Sequence, residues 1–121
     1  MSERMRRVNE SVRAVIAEAL GDLKDPRIGL VTVTGVAVSP DLREGTVFVS
    51  VLGGEKKRRA TLAGLESAHG YLQARVAREL DLKRTPHLVF QYDPTVERGV
   101  RMTKLIDELV EDATAPPDDP D

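Results

Sequence analysis

The sequence predicts an α+β domain in which one small sheet is covered on one face by helices. Three observations carry this. Apolar residues recur at helical spacing over residues 4–23 and again over about residues 58–80. Between these stretches, and once after them, short runs of alternating residues read as strands. The link between the first two strands is too short for a parallel crossover, so they pair antiparallel. The order is helix–strand–strand–helix–helix–strand, then a final helix. One layer of helices on one sheet gives a single core.

The first helix places Met5, Val8, Val12, Val15, Ile16, Ala19, Leu20 and Leu23 on one side, with Arg4, Arg6, Arg7 and Arg13 mostly off that stripe. Asp25-Pro26-Arg27 marks a turn, because proline disfavours helical geometry in the residue before it. In the first strand, Leu30 to Ser39, Val31 and Val33 alternate with Thr32 and Thr34. The alternation changes phase at Gly35, which predicts a bulge. Pro40-Asp41 begins a connection that ends near Gly45. The second strand runs from Thr46 to Leu52, with Val47, Val49 and Val51 facing opposite to Phe48, Ser50 and Leu52.

The second helical segment is interrupted at Ala68-His69-Gly70. Leu62, Leu65, Leu72, Val76 and Leu80 share a stripe, and His69 falls in phase with it. A glycine inside a helix costs about 1 kcal/mol relative to alanine, and it permits a bend or the close approach of another backbone. Gly70 is therefore expected to carry the bend, which a β-branched valine would strain. Pro86 precedes the third strand, His87 to Tyr92. Thr95 is expected to cap a last helix to roughly Asp112, with Val96, Val100, Leu105, Ile106 and Leu109 facing inward. Residues 113–121 are rich in proline and aspartate with almost nothing to bury, so disorder is expected there. The division is thus a domain over 1–112 and an acidic tail over 113–121.

The formal net charge of −2 hides an asymmetry. Residues 105–121 hold seven acids and no Lys or Arg, which leaves residues 1–104 with 13 acids against all 18 basic residues. A basic body points to a polyanionic partner. The chain has no cysteine, hence no disulfide framework or thiolate metal site. No apolar run approaches membrane-spanning length. Met1-Ser2-Glu3-Arg4 lacks the apolar stretch of a secretory signal, so a cytoplasmic protein without membrane contact is expected.

Signals for catalysis are poor. His69 and His87 stand 18 positions apart without a ligand pattern, and no metal site is expected. Ser39-Pro40-Asp41 lacks the Gly-x-Ser-x-Gly spacing of a nucleophile elbow. Gly53-Gly54 followed by Lys56 and Lys57 lacks the Walker spacing of a nucleotide-hydrolysing loop. Asn9, the sole asparagine, lies in the first helix, which argues against a small acylphosphatase-like hydrolase. A small-molecule regulatory module would require a formed apolar pocket. No catalytic residue and no cofactor is assigned.

The basic residues form the more persuasive group. Lys56, Lys57, Arg58 and Arg59 stand at the entrance to the broken helix, Arg75 and Arg78 beyond the break, and Lys83 and Arg84 after it. Their convergence on one helical pair would make a phosphate-binding surface whose affinity falls with salt. Ala68, His69 and Gly70 would set its backbone shape, with His69 a candidate RNA contact. Four aromatics (Phe48, Tyr71, Phe90 and Tyr92) do not make the stacking sheet of an RNA-recognition motif. Phe48 and Phe90 read as core.

Several local motifs, in this order and within this length, resemble the ribosome-binding factor A family over about residues 4–110. They are Arg-x-x-Arg-Val from Arg4 to Val8, Asp25-Pro26-Arg27, and Val31-Thr32-Val33-Thr34 followed by Val36-x-Val38-Ser39-x-Asp41-Leu42. Val47-Phe48-Val49-Ser50, Ala68-His69-Gly70, Pro86-His87-Leu88-Val89-Phe90 and Tyr92-Asp93 complete the set. The resemblance implies a type II KH-like fold in which an Ala-x-Gly kink, matched by Ala68 and Gly70, replaces the usual Gly-x-x-Gly loop. It also implies a non-catalytic, monomeric assembly factor that binds free or immature small ribosomal subunits and their rRNA. Such a factor supports maturation of the rRNA 5′ end and is associated with adaptation to cold.

Overall fold

The computed structural model describes residues 2–95, which form α1 (Glu3–Leu20), β1 (Val31–Val38), β2 (Glu44–Val51), α2 (Glu55–Ser67), α3 (His69–Glu79) and β3 (His87–Tyr92). The sheet order is β1-β2-β3, with β1 and β2 antiparallel and β2 and β3 parallel. The parallel return from β2 to β3 is made by α2 and α3, the crossover that such a pair requires. This is the KH-like α+β arrangement expected from the sequence. Among the described residues, no helix is long and apolar enough to cross a membrane.

The Ser2 side chain caps α1 by accepting the Met5 N–H at 3.1 Å. The helix ends three residues short of the apolar stripe. Asp22 and Leu23 N–H groups turn back to Ala19 and Leu20 carbonyls in tighter steps. Leu23 still packs on the core.

The phase change in β1 is real. The register shifts between Val33 and Gly35, leaving Thr34 as the extra residue, and its hydroxyl donates to the Phe48 carbonyl at 3.2 Å. The shift brings both Val33 and Val36 into the core. At the hairpin turn the Ser39 hydroxyl donates to Asp41 Oδ1 at 2.7 Å and accepts the Glu44 N–H at 3.0 Å. This pins Leu42 at φ 61°, an unusual conformation for a branched side chain, and delivers it buried into the core.

Core residues come from every layer: Val12 and Ile16 on α1, Val47 and Val49 on β2, Leu65 on α2, and Leu72 and Val76 on α3. Each such burial stabilises by about 1.5–3 kcal/mol. Phe90 packs against this cluster, whereas Phe48, one residue out of phase with Val47 and Val49, is buried apart from it.

The helical break falls on Ala68, two residues before Gly70. Ala68 has φ −90° and ψ 5°, a conformation open to any residue. Its N–H is shared between the Gly64 and Leu65 carbonyls, both at 3.1 Å, and its carbonyl accepts the Leu72 N–H at 3.0 Å. Gly70 lies inside the first turn of α3 without a positive φ, and a Cβ built there meets nothing within 4 Å. The expectation that glycine is needed for the bend is corrected accordingly. The sterically demanding glycine is Gly64, where a Cβ would stand 2.6 Å from Ile28 Cγ1.

At the end of β3, the Asp93 carboxylate accepts the Thr95 N–H at 2.9 Å, so the acceptor at this turn is Asp93 rather than Thr95. The expected last helix and the tail lie outside the described residues.

Candidate nucleic-acid interface

The bent helical pair rests on two different supports. α3 packs against α1, and α2 lies over β3. The loop between α1 and β1 docks on α2 through one helical face. Thr61 Oγ1 accepts the Gly29 N–H at 3.3 Å, Ile28 sits over bare Gly64, and Arg27 donates to Ser67 Oγ at 2.9 Å. Asp25 holds that arginine, accepting from both its backbone N–H and its guanidinium, which keeps the carboxyl below its ordinary range. From sequence, Asp25-Pro26-Arg27 reads only as a turn. In the structure it braces the end of α2 beside the bend.

On the other side of the bend, α3 closes the outer edge of β3. His69 Nε2 lies 3.0 Å from the Leu88 carbonyl. One turn later, Gln73 donates to the Pro86 carbonyl at 2.6 Å and accepts the Leu88 N–H at 3.1 Å. An edge strand otherwise presents a row of unpaired backbone groups. Here two side chains satisfy three of them, at Pro86 and Leu88, and Pro86 sits at an outward position where its missing N–H costs nothing. The His69 ring also lies 4.9 Å from that of His87 and edge-on to Phe90 at 6.5 Å. His69 is therefore held by β3, which the sequence did not reveal. Gln73, one turn from His69, could have been noticed only by knowing that β3 lies beneath α3. Among the described residues, no three His, Cys, Asp or Glu side chains gather to hold a metal.

The structure sorts the expected basic residues into free and committed. Lys56 and Lys57 are exposed at the start of α2, Arg78 in the last turn of α3, and Lys83 and Arg84 in the connection to β3. None of the five has an ion pair among the described residues. The Arg58 guanidinium lies over the Tyr92 ring, 4.4 Å from its centre, and also lacks an ion pair among those residues. Arg59 is paired with Glu55 at 3.2 Å, both well exposed. An exposed pair of this kind is worth about 0.3–0.5 kcal/mol and can be displaced.

Arg75 is the exception, and its expected presentation to phosphate is corrected. It is buried between α3 and α1. Its guanidinium bonds to Glu79, to Asp22 Oδ2 at 2.7 Å and to Glu18 Oε1 at 2.9 Å, and donates to the Tyr71 hydroxyl at 3.0 Å. These partners, Glu79 first and Tyr71 next, hold its pKa far above the ordinary value. Tyr71 in turn donates to Asp22 at 2.9 Å and is the main cause of that carboxyl's lowered pKa. Arg75 stands between the core residues Leu72 and Val76, with Tyr71 and Glu79 one turn away on either side. That placement was the available signal of a structural role.

The free cations do not converge on one point. Lys56, Lys57 and Arg58 flank the far end of α2, while Arg78, Lys83 and Arg84 flank the far end of α3, with the bend between. The second group gains neighbours from α1: Arg4 and Arg7 line an open groove of about 530 Å³ with Leu80 and Leu82, although Glu3 in the same groove pairs with Arg7 at 3.3 Å. Between the two groups, Gly70 leaves the backbone of the first turn of α3 uncovered. The arrangement is two positive clusters at opposite ends of the helical pair, with bare main chain at Gly70 between them.

The family model for ribosome-binding factor A matches residues 4–106. A ribosome-binding factor A from Anaeromyxobacter sp. strain K is 50% identical over 91% of this chain and 81% of its own length. One from Thioalkalivibrio sulfidiphilus is 44% identical over 96% of this chain and 92% of its own. The crystal structure of ribosome-binding factor A from Thermus thermophilus superposes with a TM-score of 0.66 at 30% identity, covering 73% of this chain and 93% of that one. A Thermus thermophilus homology model fitted into a cryo-electron microscopy map of a 30S complex of that protein gives a TM-score of 0.60 at 30% identity, covering 71% of this chain and 91% of that one. With the kink, the strand order and the family match in agreement, the chain belongs to the ribosome-binding factor A family.

Proposed function

We propose that this protein is a non-catalytic assembly factor that binds free or immature small ribosomal subunits through rRNA and supports maturation of the rRNA 5′ end. The observation that carries this reading is the two clusters of cations, without ion pairs among the described residues, on either side of the bend, with the bare backbone of Gly70 between them. Phosphates bind to Lys56, Lys57 and Arg58 on one side and to Arg78, Lys83 and Arg84 on the other. Arg59 joins once its exposed pair with Glu55 is exchanged for a phosphate. Each contact releases condensed counterions, so affinity falls steeply with added salt. Gly70 lets the RNA backbone approach the main chain directly, while His69 and Gln73 hold the bend against β3. The fitting of a related protein into a 30S complex supports the choice of partner.

The test is cosedimentation of the purified protein with small subunits over a range of salt, comparing it with the Lys56→Gln/Lys57→Gln/Arg58→Gln variant. The reading requires weaker binding and a shallower salt dependence in the variant. Unchanged binding at every salt concentration would refute it. Precursor 5′ ends, mapped by primer extension in cells lacking the protein, test the processing role separately.

A further inference from the structure

We propose that the outer face of the sheet, opposite α1, α2 and α3, is a docking surface for this chain's own residues 96–112, which lie across it as a helix. The observation behind this is Phe48. Side chains alternate along a strand, so Phe48 points away from Val47 and Val49, whose side of the sheet carries the core cluster and the helices. Yet Phe48 is only 3% exposed. Its neighbours on the outer face cannot hide it. Across the ladder stand Gly35, which has no side chain, and Gln91, which is exposed. Along β2 stand Thr46 and Ser50, both small. An aromatic ring in the central strand of a three-stranded sheet needs a further element above it to lose its contact with water.

The chain itself supplies that element. Asp93 continues the outward phase of Val89 and Gln91, and it too is buried, at 1% exposure. It accepts the Thr95 N–H at 2.9 Å, as a helix cap does, and Thr95 is already helical. A helix therefore starts on the outer side of the sheet, with almost no loop to carry it elsewhere. The residues that follow have a matching pattern: Val96 and Val100, then Met102, Leu105, Ile106 and Leu109, recur at helical spacing. The length matches as well. Residues 95–112 extend about 27 Å as a helix, and the eight residues of β2 about 26 Å. The family match runs to residue 106, past the last strand, which agrees with a stretch that belongs to the domain.

Any other occupant competes with a segment tethered to the edge of the surface, whose effective concentration is about millimolar. The docking also decides where the acids lie. With the apolar stripe on the sheet, Asp107, Glu108, Glu111 and Asp112 stand on the outer side, away from the cations of α2 and α3. The acidic end of the chain is thereby kept off the basic clusters.

The test needs no RNA and so does not depend on the reading above. The chain has no cysteine, so a single spin label can be placed by one substitution. Full-length protein labelled at Glu44→Cys, exposed on the outer face at the far end of β2, is compared with protein labelled at Ala74→Cys, exposed on α3. Both positions are exposed, so both proteins are expected to fold. A helix running back along the sheet brings Leu105 to Leu109 near Glu44. Their amide NMR signals should lose intensity with the first label and keep it with the second. Loss from Ala74 instead, or from neither label, overturns the proposal. So does loss that appears only between labelled and unlabelled molecules mixed at high concentration, which would seat a second copy on the face. In the Val100→Asp/Ile106→Asp variant the effect of the Glu44 label should vanish. Its persistence there would mean that the apolar stripe does not seat the segment, and the proposal would fail.

Discussion

His69 and Gln73, one turn apart on α3, together act as a substitute strand along β3. Between them they contact the Leu88 carbonyl, the Leu88 N–H and the Pro86 carbonyl. These contacts are half-buried, so a backbone group released there is poorly solvated. Replacing Gln73 with leucine strands two such groups at once. A loss of about 1–3 kcal/mol per stranded group is expected in urea unfolding. Unfolding at the wild-type midpoint would mean that the edge is not closed this way.

Gly64 and Gly70 should respond oppositely to the same substitution. Alanine at Gly70 enters open space in a helix and should stabilise by about 0.5–1 kcal/mol. It should also weaken small-subunit binding, because the new methyl stands where the RNA backbone approaches. Alanine at Gly64 drives into Ile28 and should destabilise despite the gain in helix propensity. Thermal melting of the two variants, with cosedimentation of the first, decides both points.

Arg59 and Arg75 should separate binding from folding. Arg59→Gln removes an exposed cation and should reduce RNA affinity while leaving the melting temperature in place. Arg75→Met leaves Glu18, Asp22 and Glu79 without their shared partner and should lower the melting temperature by several degrees. Its effect on RNA binding, measured well below melting, should be small.

Leu42→Ala should cost about 2–5 kcal/mol, the range for truncating a buried leucine. Alanine keeps the unfavourable φ while losing the burial that compensates it. Equilibrium unfolding measures the loss, and a cost below about 1 kcal/mol would show that the turn relaxes instead.

Acid should destabilise the domain through Asp22, Asp25 and Asp41, whose pKa values are lowered below the ordinary 3.8. The causes are chiefly hydrogen bonds from Tyr71, Arg27 and Ser39, respectively. Because the folded state holds these groups more acidic than the unfolded chain does, their contribution is complete above the ordinary value. It declines as pH falls from there through the lowered values. Asp25→Asn should flatten part of that decline in a series of denaturant titrations.

Much of the fold could be read from spacing alone. The β1 bulge followed from a phase change at Gly35, and β3 has the limits predicted from Pro86 and the turn at Asp93. These features depend on neighbours in sequence. The break lies within Ala68-His69-Gly70 as the spacing predicts, but the residue with distorted dihedrals is Ala68 and not the conspicuous Gly70. For the site, residue type showed which side chains carry charge but not which charges were already taken. Arg75 differs from Arg59 in lying between the core residues Leu72 and Val76, but its partners Glu18 and Asp22 come from another helix and the turn after it. The bracing contacts of Arg27 and Gln73 are not legible because their partners, Ser67 and Leu88, are 40 and 15 residues away.

Ala68 keeps both its N–H and its carbonyl bonded, so opening the elbow between α2 and α3 would break those bonds. Its geometry exists before any target arrives, so little ordering entropy is lost at contact. The converse is intolerance. An RNA whose phosphates are spaced for another shape would get no accommodation from the protein.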